Sequence, residues 1–246
     1  MADQLGLPLS LRNEATFANF LAEAGSPRDQ VVRLLRDRAD APLGGETAIY
    51  LWGAEGTGCN HLLQATCHHY SHRGRGAQYL PLGELRDMAA GAQGLEDLDP
   101  ESLLADLEYQ PLVCLSGLEA VAGDRAFEIA LFSLFNRIRE QGNLLLVGAD
   151  RGPRELPLLL PDLQSRLASG LVFHLPPYSL EEKSAILRFR AARLGIELGD
   201  EVAGFILNRG ERSLDTLMGY LARLDRASLR AQRRVTVPFV KAVFGW

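Results

Sequence analysis

The sequence of 246 residues contains almost no lysine and very little cysteine. Lys183 and Lys241 are the only lysines, so the positive charge rests almost entirely on arginine. Cys59, Cys67 and Cys114 are odd in number and lack the spacing of a disulfide framework or a zinc site. We therefore interpret them as small buried side chains in a reducing compartment.

Long apolar runs are also missing, since no segment approaches the ~18 residues that a membrane-spanning helix needs. The N-terminus lacks the basic and apolar regions of a signal peptide. A net charge of -5 argues against extensive non-specific binding to nucleic acid. These absences predict a cytoplasmic protein without membrane contact.

Continuous apolar runs alternate with helical patterns through the first two thirds of the chain. Strands are predicted at 47–52, 77–81, 111–115, 144–148 and 171–175, with helices at 13–38, 60–72, from 82, and at 127–141. This alternation predicts an α/β fold with a five-stranded parallel sheet covered on both faces. After Pro176 the pattern becomes helical only, at 180–193, 200–207, 213–230 and from 238. We therefore predict a tail at 1–12, an α/β core at 13–178 and a small helical domain at 179–246.

The segment after the first strand follows the spacing of a phosphate-binding P-loop, Gly-x-x-x-x-Gly-Lys-[Ser/Thr]. Gly53 and Gly58 occupy the two glycine positions, and Gly56 lies between them. Cys59 stands at the lysine position and Asn60 at the hydroxyl position. The lysine normally contacts the β- and γ-phosphates, and the hydroxyl ligates magnesium. The loop therefore keeps its glycines but lacks both the phosphate-binding lysine and the magnesium ligand. An ordinary glycine turn between strand and helix is the structural alternative.

A second NTPase element is also altered. The apolar strand 112–115 ends at Ser116, where an aspartate would hold magnesium, and Glu119 comes three residues too late to replace it directly. Both losses predict that the chain does not hydrolyse ATP. His68 and His72 have the i, i+4 spacing of a metal pair, but no third ligand accompanies them, so we predict a solvated or half-buried helix face and no metal site.

Several segments together resemble the AAA+ core of the bacterial initiator DnaA, and more closely the Hda group of short DnaA-related proteins. They are the glycine loop followed by HLL, LVCLSGLE at 112–119, GADRGP at 148–153, LPDLQSRL at 160–167, SLEEK at 179–183, LDRAS at 224–228 and TVPFVK at 236–241. The resemblance covers essentially the whole chain. It implies an AAA+ P-loop core followed by a helical lid.

Two site predictions come from this resemblance. Arg166 stands at the place of the AAA+ arginine finger, which completes the nucleotide site of a neighbouring subunit; a surface arginine in a local salt bridge is the alternative. In the N-terminal tail, the resemblance implies that Gln4, Leu5, Leu7, Pro8 and Leu9 bind the DNA polymerase sliding clamp. A tail packed back on the core is the alternative there.

The resemblance also concerns nucleotide binding. Asp215 stands where the AAA+ lid usually carries a nucleotide-sensing arginine, and nearby Arg212 could reach the same space in its place. Hda-type proteins are thought to need ADP, so ADP is the candidate cofactor. The replaced side chains argue against ADP dependence in this chain.

The resemblance implies a negative regulator of replication initiation. It would dock on the DNA-loaded clamp and present Arg166 to ATP-bound DnaA, whose ATP is then hydrolysed. DNA contact is expected only through the clamp, because no helix-turn-helix follows Trp246. The sequence also allows a homodimer. The rival functions are an active AAA+ ATPase, a non-catalytic adaptor for DnaA or the clamp, and a helicase-loading or polarity factor. Replacing Arg166 would distinguish the arginine-finger regulator from the adaptor, because only the adaptor should tolerate the loss of this residue.

Overall fold

The structure is a computed structural model that describes residues 11–40, 46–91 and 99–246. The chain divides into two compact units, one ending at Pro176 and the other running from Pro177 to Trp246. Each unit has its own apolar core, so we describe the units separately.

The first unit is built on the predicted five-stranded parallel sheet, whose strand order is β2-β3-β4-β1-β5. Its strands are β1 Ala48–Trp52, β2 Ala77–Pro81, β3 Leu112–Ser116, β4 Leu144–Ala149 and β5 Leu171–His174. In the parallel register, Gly148 of β4 pairs with Leu51 on one side and Ser116 on the other. The carboxyl ends of the strands therefore meet at one edge of the sheet, where ligands bind in open α/β sheets.

Helices cover both faces of this sheet. They are α1 Pro27–Asp40, α2 Cys59–His72, α3 Leu82–Gly91, α4 Pro100–Leu103, α5 Arg125–Glu140 and α6 Pro161–Ser169. Successive strand residues point to opposite faces, so Leu146 packs with α1 and α2 while Leu145 and Val147 pack with α5 and α6. The three central strands β1, β3 and β4 are almost entirely apolar because both of their faces are buried, whereas the edge strands β2 and β5 are partly exposed.

The helix predicted at 13–38 is wrong in its first half. Residues Phe17–Asn19 form a single 3₁₀ turn, and α1 begins only at Pro27. Gly25 adopts a left-handed conformation with φ 80°, and a proline fits the first turn of a helix but not its interior. The apolar residues that suggested one long helix still belong to the core, since Phe17 is buried in the same cluster as α1 and α2.

The second unit is the predicted helical lid. It consists of α7 Leu180–Arg193, α8 Asp200–Arg209, α9 Leu214–Ala231 and α10 Val237–Phe244. Side chains cap three of these helices, with a reciprocal capping box between Ser179 and Glu182. Leu187, Leu217 and Val240 are fully buried at its centre. Across the described parts of both units, no helix is long and apolar enough to cross a membrane.

Candidate functional site

The glycine loop lies between β1 and α2, at the carboxyl edge of the sheet. Gly56 and Gly58 have φ angles of 79° and 98°, a left-handed conformation that side chains rarely adopt. At Gly53, a Cβ atom would lie 2.3 Å from the carbonyl oxygen of Leu175. All three glycines are therefore required by the backbone itself, and Gly58 ends the loop as the N-cap of α2.

The side chains of this loop stabilise its own shape. Thr57 is buried, and its hydroxyl donates to the carbonyl of Ala54 at 2.8 Å. The same oxygen lies 3.6 Å from the sulfur of Cys59. Burial raises the pKa of the Cys59 thiol, while the contact with Thr57 opposes that rise. The lysine position thus holds a neutral thiol at neutral pH, and Asn60 next to it is exposed to solvent.

Ser116 belongs to a buried polar network. Its hydroxyl donates to the Tyr79 hydroxyl at 2.8 Å, and Tyr79 also accepts from the Gln64 side chain at 3.4 Å. The Gln64 amide oxygen in turn accepts from the backbone N–H of Arg12 at 2.8 Å. The position expected to bind magnesium therefore carries a neutral group that is already hydrogen-bonded.

Glu119 lies closer to the loop than its sequence position suggested. A 3₁₀ turn at Leu118–Ala120 follows β3, and the Glu119 carboxylate accepts from the backbone N–H of Asp150 at 3.1 Å. Its charge helps to raise the pKa values of Tyr50 and Cys59, although burial is the larger cause for both. Two acids are therefore present at this edge: Glu119 is bound to the end of β4, and Asp150 is paired with Arg151.

The residues around the loop fit a phosphate only through the backbone. The N-terminus of α2 offers N–H groups and the positive end of a helix dipole. Cys59 supplies no positive charge in place of the lysine, and Arg28, a buried cation whose charge acts on the Cys59 thiol, donates to the carbonyl of Pro176. No group of three acidic, histidine or cysteine ligands occurs in the described ranges. The arrangement therefore does not fit a magnesium–ATP complex poised for hydrolysis.

Arg166 lies on α6, a helix that the strand and helix pattern did not predict. Leu163 and Leu167 anchor α6 in the core, at 1% and 5% exposure, while Arg166 is half-buried beside them. Within 11–40, 46–91 and 99–246, no side chain forms an ion pair or hydrogen bond with its guanidinium. Arg166 therefore has no salt-bridge partner in these ranges, and no hydrogen bond joins it to the glycine loop.

The helix that carries Arg166 is closely fixed at its C-terminal end. Gly170 follows α6, and a Cβ atom there would lie 2.5 Å from the carbonyl oxygen of Ala48 in β1. The chain can pass β1 at this distance only because residue 170 has no side chain. The end of α6 is thus held against the first strand of the sheet.

The predicted clamp-binding residues Gln4, Leu5, Leu7, Pro8 and Leu9 lie outside the described residues. The structure describes the chain from Leu11, and the adjacent Arg12 is bonded to α2 at two points. Its N–H donates to Gln64, and its carbonyl oxygen lies 3.1 Å from Nε2 of His68. His68 therefore contacts the N-terminal segment.

In the second unit, Asp215 is exposed in the first turn of α9. The Nε group of Arg212 donates to the carbonyl of Leu207 at 2.9 Å. This bond satisfies one of the carbonyl groups left unpaired near the end of α8. The Arg212 side chain thus caps the end of α8.

Comparison with known families agrees with this architecture. The family described as the bacterial DnaA ATPase domain matches residues 11–174, and the family described as the Hda lid domain matches residues 181–244.

Among solved structures, domain III of the Thermotoga maritima replication initiation protein DnaA is similar, with 20% identity, a TM-score of 0.78, and coverage of 96% of this chain and 98% of that one. AMPPCP-bound DnaA from Aquifex aeolicus has 19% identity and a TM-score of 0.73, covering 89% of this chain and 67% of that one. A Thermotoga maritima RuvB mutant has 17% identity and a TM-score of 0.60, covering 94% and 71%. At these identities the structures share the fold.

Proposed function

This chain belongs to the bacterial DnaA family of AAA+ ATPase domains and carries an Hda-type lid, and from that premise we propose that it is a negative regulator of replication initiation. In this proposal it docks on the DNA-loaded sliding clamp through its N-terminal tail. It then promotes hydrolysis of the ATP bound to DnaA by supplying Arg166 as an arginine finger. DnaA is left in its ADP-bound form, and a new round of initiation is suppressed.

The proposal rests on two observations about Arg166: the anchoring of its helix in the core and the absence of an ion-pair partner for its guanidinium in the described ranges. Its helix is anchored by Leu163 and Leu167, yet its guanidinium has no ion-pair partner in the described parts of the chain. A guanidinium is planar and carries five N–H donors, so it matches the equatorial oxygens of a phosphoryl group in transfer. An arginine without an ion-pair partner in the described ranges, on a helix that two buried leucines anchor, suits a role in a second molecule's nucleotide site.

The altered glycine loop is compatible with this role. An arginine finger acts in trans, so its provider needs position and shape but no nucleotide hydrolysis of its own. Cys59 is a buried neutral thiol, and Ser116 is hydrogen-bonded to Tyr79. We therefore propose that the chain is not itself an ATPase, and that ADP is not required for its action.

The clamp contact is supported by the sequence of the tail and by its anchor. Leu7 and Leu9 are apolar and follow Gln4 in a short proline-containing segment, a pattern that suits a peptide in a hydrophobic groove. Arg12 binds α2 through both its N–H and its carbonyl group. The peptide is therefore proposed to begin at a defined point on the first unit.

The test is an ATP-hydrolysis assay with DnaA, measured with and without this protein and with the clamp free or loaded on DNA. We expect hydrolysis to accelerate only when this protein and the DNA-loaded clamp are both present. Binding to DnaA or to the clamp without acceleration would identify a non-catalytic adaptor. ATP turnover by this protein alone, at rates usual for AAA+ enzymes, would contradict the proposal.

A further inference from the structure

A fully buried carboxylate ties the segment before α6 to helix α5. Glu128, in the first turn of α5, is 0% exposed. Its Oε1 atom accepts from the backbone N–H of Gly123 at 2.8 Å and of Leu159 at 3.0 Å, and its Oε2 atom accepts from Leu160 at 2.7 Å. One side chain thus joins two backbone segments that are more than thirty residues apart in sequence.

Such an arrangement needs a specific reason, because a buried charge is costly unless it is fully hydrogen-bonded. Across the ranges that the structure describes, Glu128 forms no ion pair, so three backbone N–H groups balance its charge. Its position near the positive end of α5 adds a favourable helix-dipole interaction. An apolar residue would fill the same space but would leave those three N–H groups without their acceptor.

The bonds are made where α6 begins. Leu160 is the N-cap of α6 and offers no side-chain oxygen, and the next residue is Pro161, which has no N–H. Glu128 binds the N–H of that cap residue, so it sets the point from which α6 starts. Gln164 adds weaker bonds of 3.4 Å to carbonyls in the preceding segment, at Arg154 and Leu156.

Arg166 lies six residues beyond the cap, which is about 9 Å along the helix axis. A displacement of the helix start would therefore be carried to the guanidinium. Misplacement of a reacting group by about 1 Å can cost on the order of a hundredfold in rate. We propose that Glu128 is a positioning residue that sets the place of Arg166 by fixing the start of α6. This inference rests on the proposed finger role of Arg166.

The test uses Glu128→Ala and Glu128→Gln in the full chain, with hydrogen exchange at the Leu159 and Leu160 amides as the direct readout. We expect Glu128→Ala to lose protection at both amides and to lower the stimulated kcat of DnaA by about 10–100-fold. The apparent KM for ATP-bound DnaA and the binding to clamp should change less than about twofold, because neither contact includes Glu128. Glu128→Gln keeps one acceptor oxygen, so it should retain an intermediate rate.

Leu134→Ala is the matched control for a purely structural effect. Leu134 is fully buried on the same helix but makes none of these hydrogen bonds, so its truncation lowers stability by leaving a cavity. Below its melting temperature this variant should keep full stimulation. Equal loss of kcat in Leu134→Ala and Glu128→Ala would overturn the positioning role.

The two proposals can fail separately. If Arg166→Ala abolishes stimulation while Glu128→Ala keeps both full stimulation and amide protection, the positioning inference is wrong and the proposed function stands. If Glu128→Ala loses amide protection but neither variant changes stimulation, then Glu128 holds α6 for a structural reason. In that case both the finger role and the positioning role are refuted.

Discussion

Replacing Arg166 by alanine should remove the proposed activity and leave the fold intact. Its guanidinium has no ion-pair partner within the described ranges, so the substitution removes only the half-buried stem from the surface of α6. Alanine is the better helix former, which offsets part of that loss. We therefore expect the free energy of unfolding to change by about 0.5 kcal/mol or less.

The effect on the partner should be far larger. Arginine fingers contribute on the order of 10³–10⁵ in rate in the best-studied cases, equivalent to about 4–7 kcal/mol of transition-state stabilisation. Stimulated hydrolysis by DnaA should fall to the unstimulated rate in Arg166→Ala, with clamp binding unchanged. The measurement pairs single-turnover hydrolysis on clamp-loaded DNA with thermal unfolding of the same sample.

Two further variants sharpen this prediction. Arg139→Ala removes an exposed arginine from the last turn of α5 and should leave stimulation unchanged. Arg166→Lys should restore little, because a single ammonium group does not reproduce the planar set of donors. Full stimulation by Arg166→Ala, or a lower melting temperature together with rescue by lysine, would refute the finger role.

Other predictions test the loop, the packing of α6 and the tail. Gly170→Ala should destabilise the first unit by about 1–3 kcal/mol in denaturant unfolding, because its Cβ would lie 2.5 Å from a backbone carbonyl of β1. The matched Gly83→Ala, whose Cβ meets its nearest atom at 3.6 Å, should be neutral or stabilising by up to about 1 kcal/mol. The folded protein should react slowly with thiol reagents at pH 8, because all three thiols are buried and the pKa of Cys59 is raised; rapid modification of Cys59 would contradict its assigned burial. Restoring lysine with Cys59→Lys should not restore ATP turnover, since the metal-binding acid is still absent, and a turnover assay decides this. Replacing Leu7 and Leu9 by alanine should weaken clamp binding by about a hundredfold or more, as each buried leucine contributes roughly 1.5–3 kcal/mol; unchanged binding would place the clamp contact elsewhere.

Sequence patterns predicted the sheet well because most of its strands are continuous or nearly continuous apolar runs. The bounds of β2 were predicted correctly, and Leu112–Ser116 differs by one residue at each end from the predicted strand. The strand order and α6 were not predicted, since pairing between distant strands and a helix of nine residues leave little local signal. The long helix at 13–38 failed because Gly25 and Pro27 outweighed the apolar periodicity.

The candidate site shows the same division between local and long-range information. The altered loop could be recognised because glycine and lysine positions have fixed spacing. The role of Arg166 was predicted from a family resemblance, because no local sequence pattern marks this residue. Glu128 was missed because its hydrogen bonds reach residues 31 and 32 positions away. One signal was available: Glu128 is a charged residue next to Phe127 on the buried stripe of α5, where a charge needs hydrogen-bond partners.

The anchoring of Arg12 on α2 limits how far from the first unit a clamp bound by the proposed tail contact could lie. Leu9, the last residue proposed to enter the clamp groove, is three residues before Arg12. Three residues span at most about 11 Å even when fully extended. With the carbonyl and N–H of Arg12 both bonded to α2, a clamp that holds Leu9 must lie almost against that helix. If the proposed clamp contact forms, so short a connection would restrict the orientation of the first unit, and the clamp would largely set the direction in which Arg166 faces relative to the DNA.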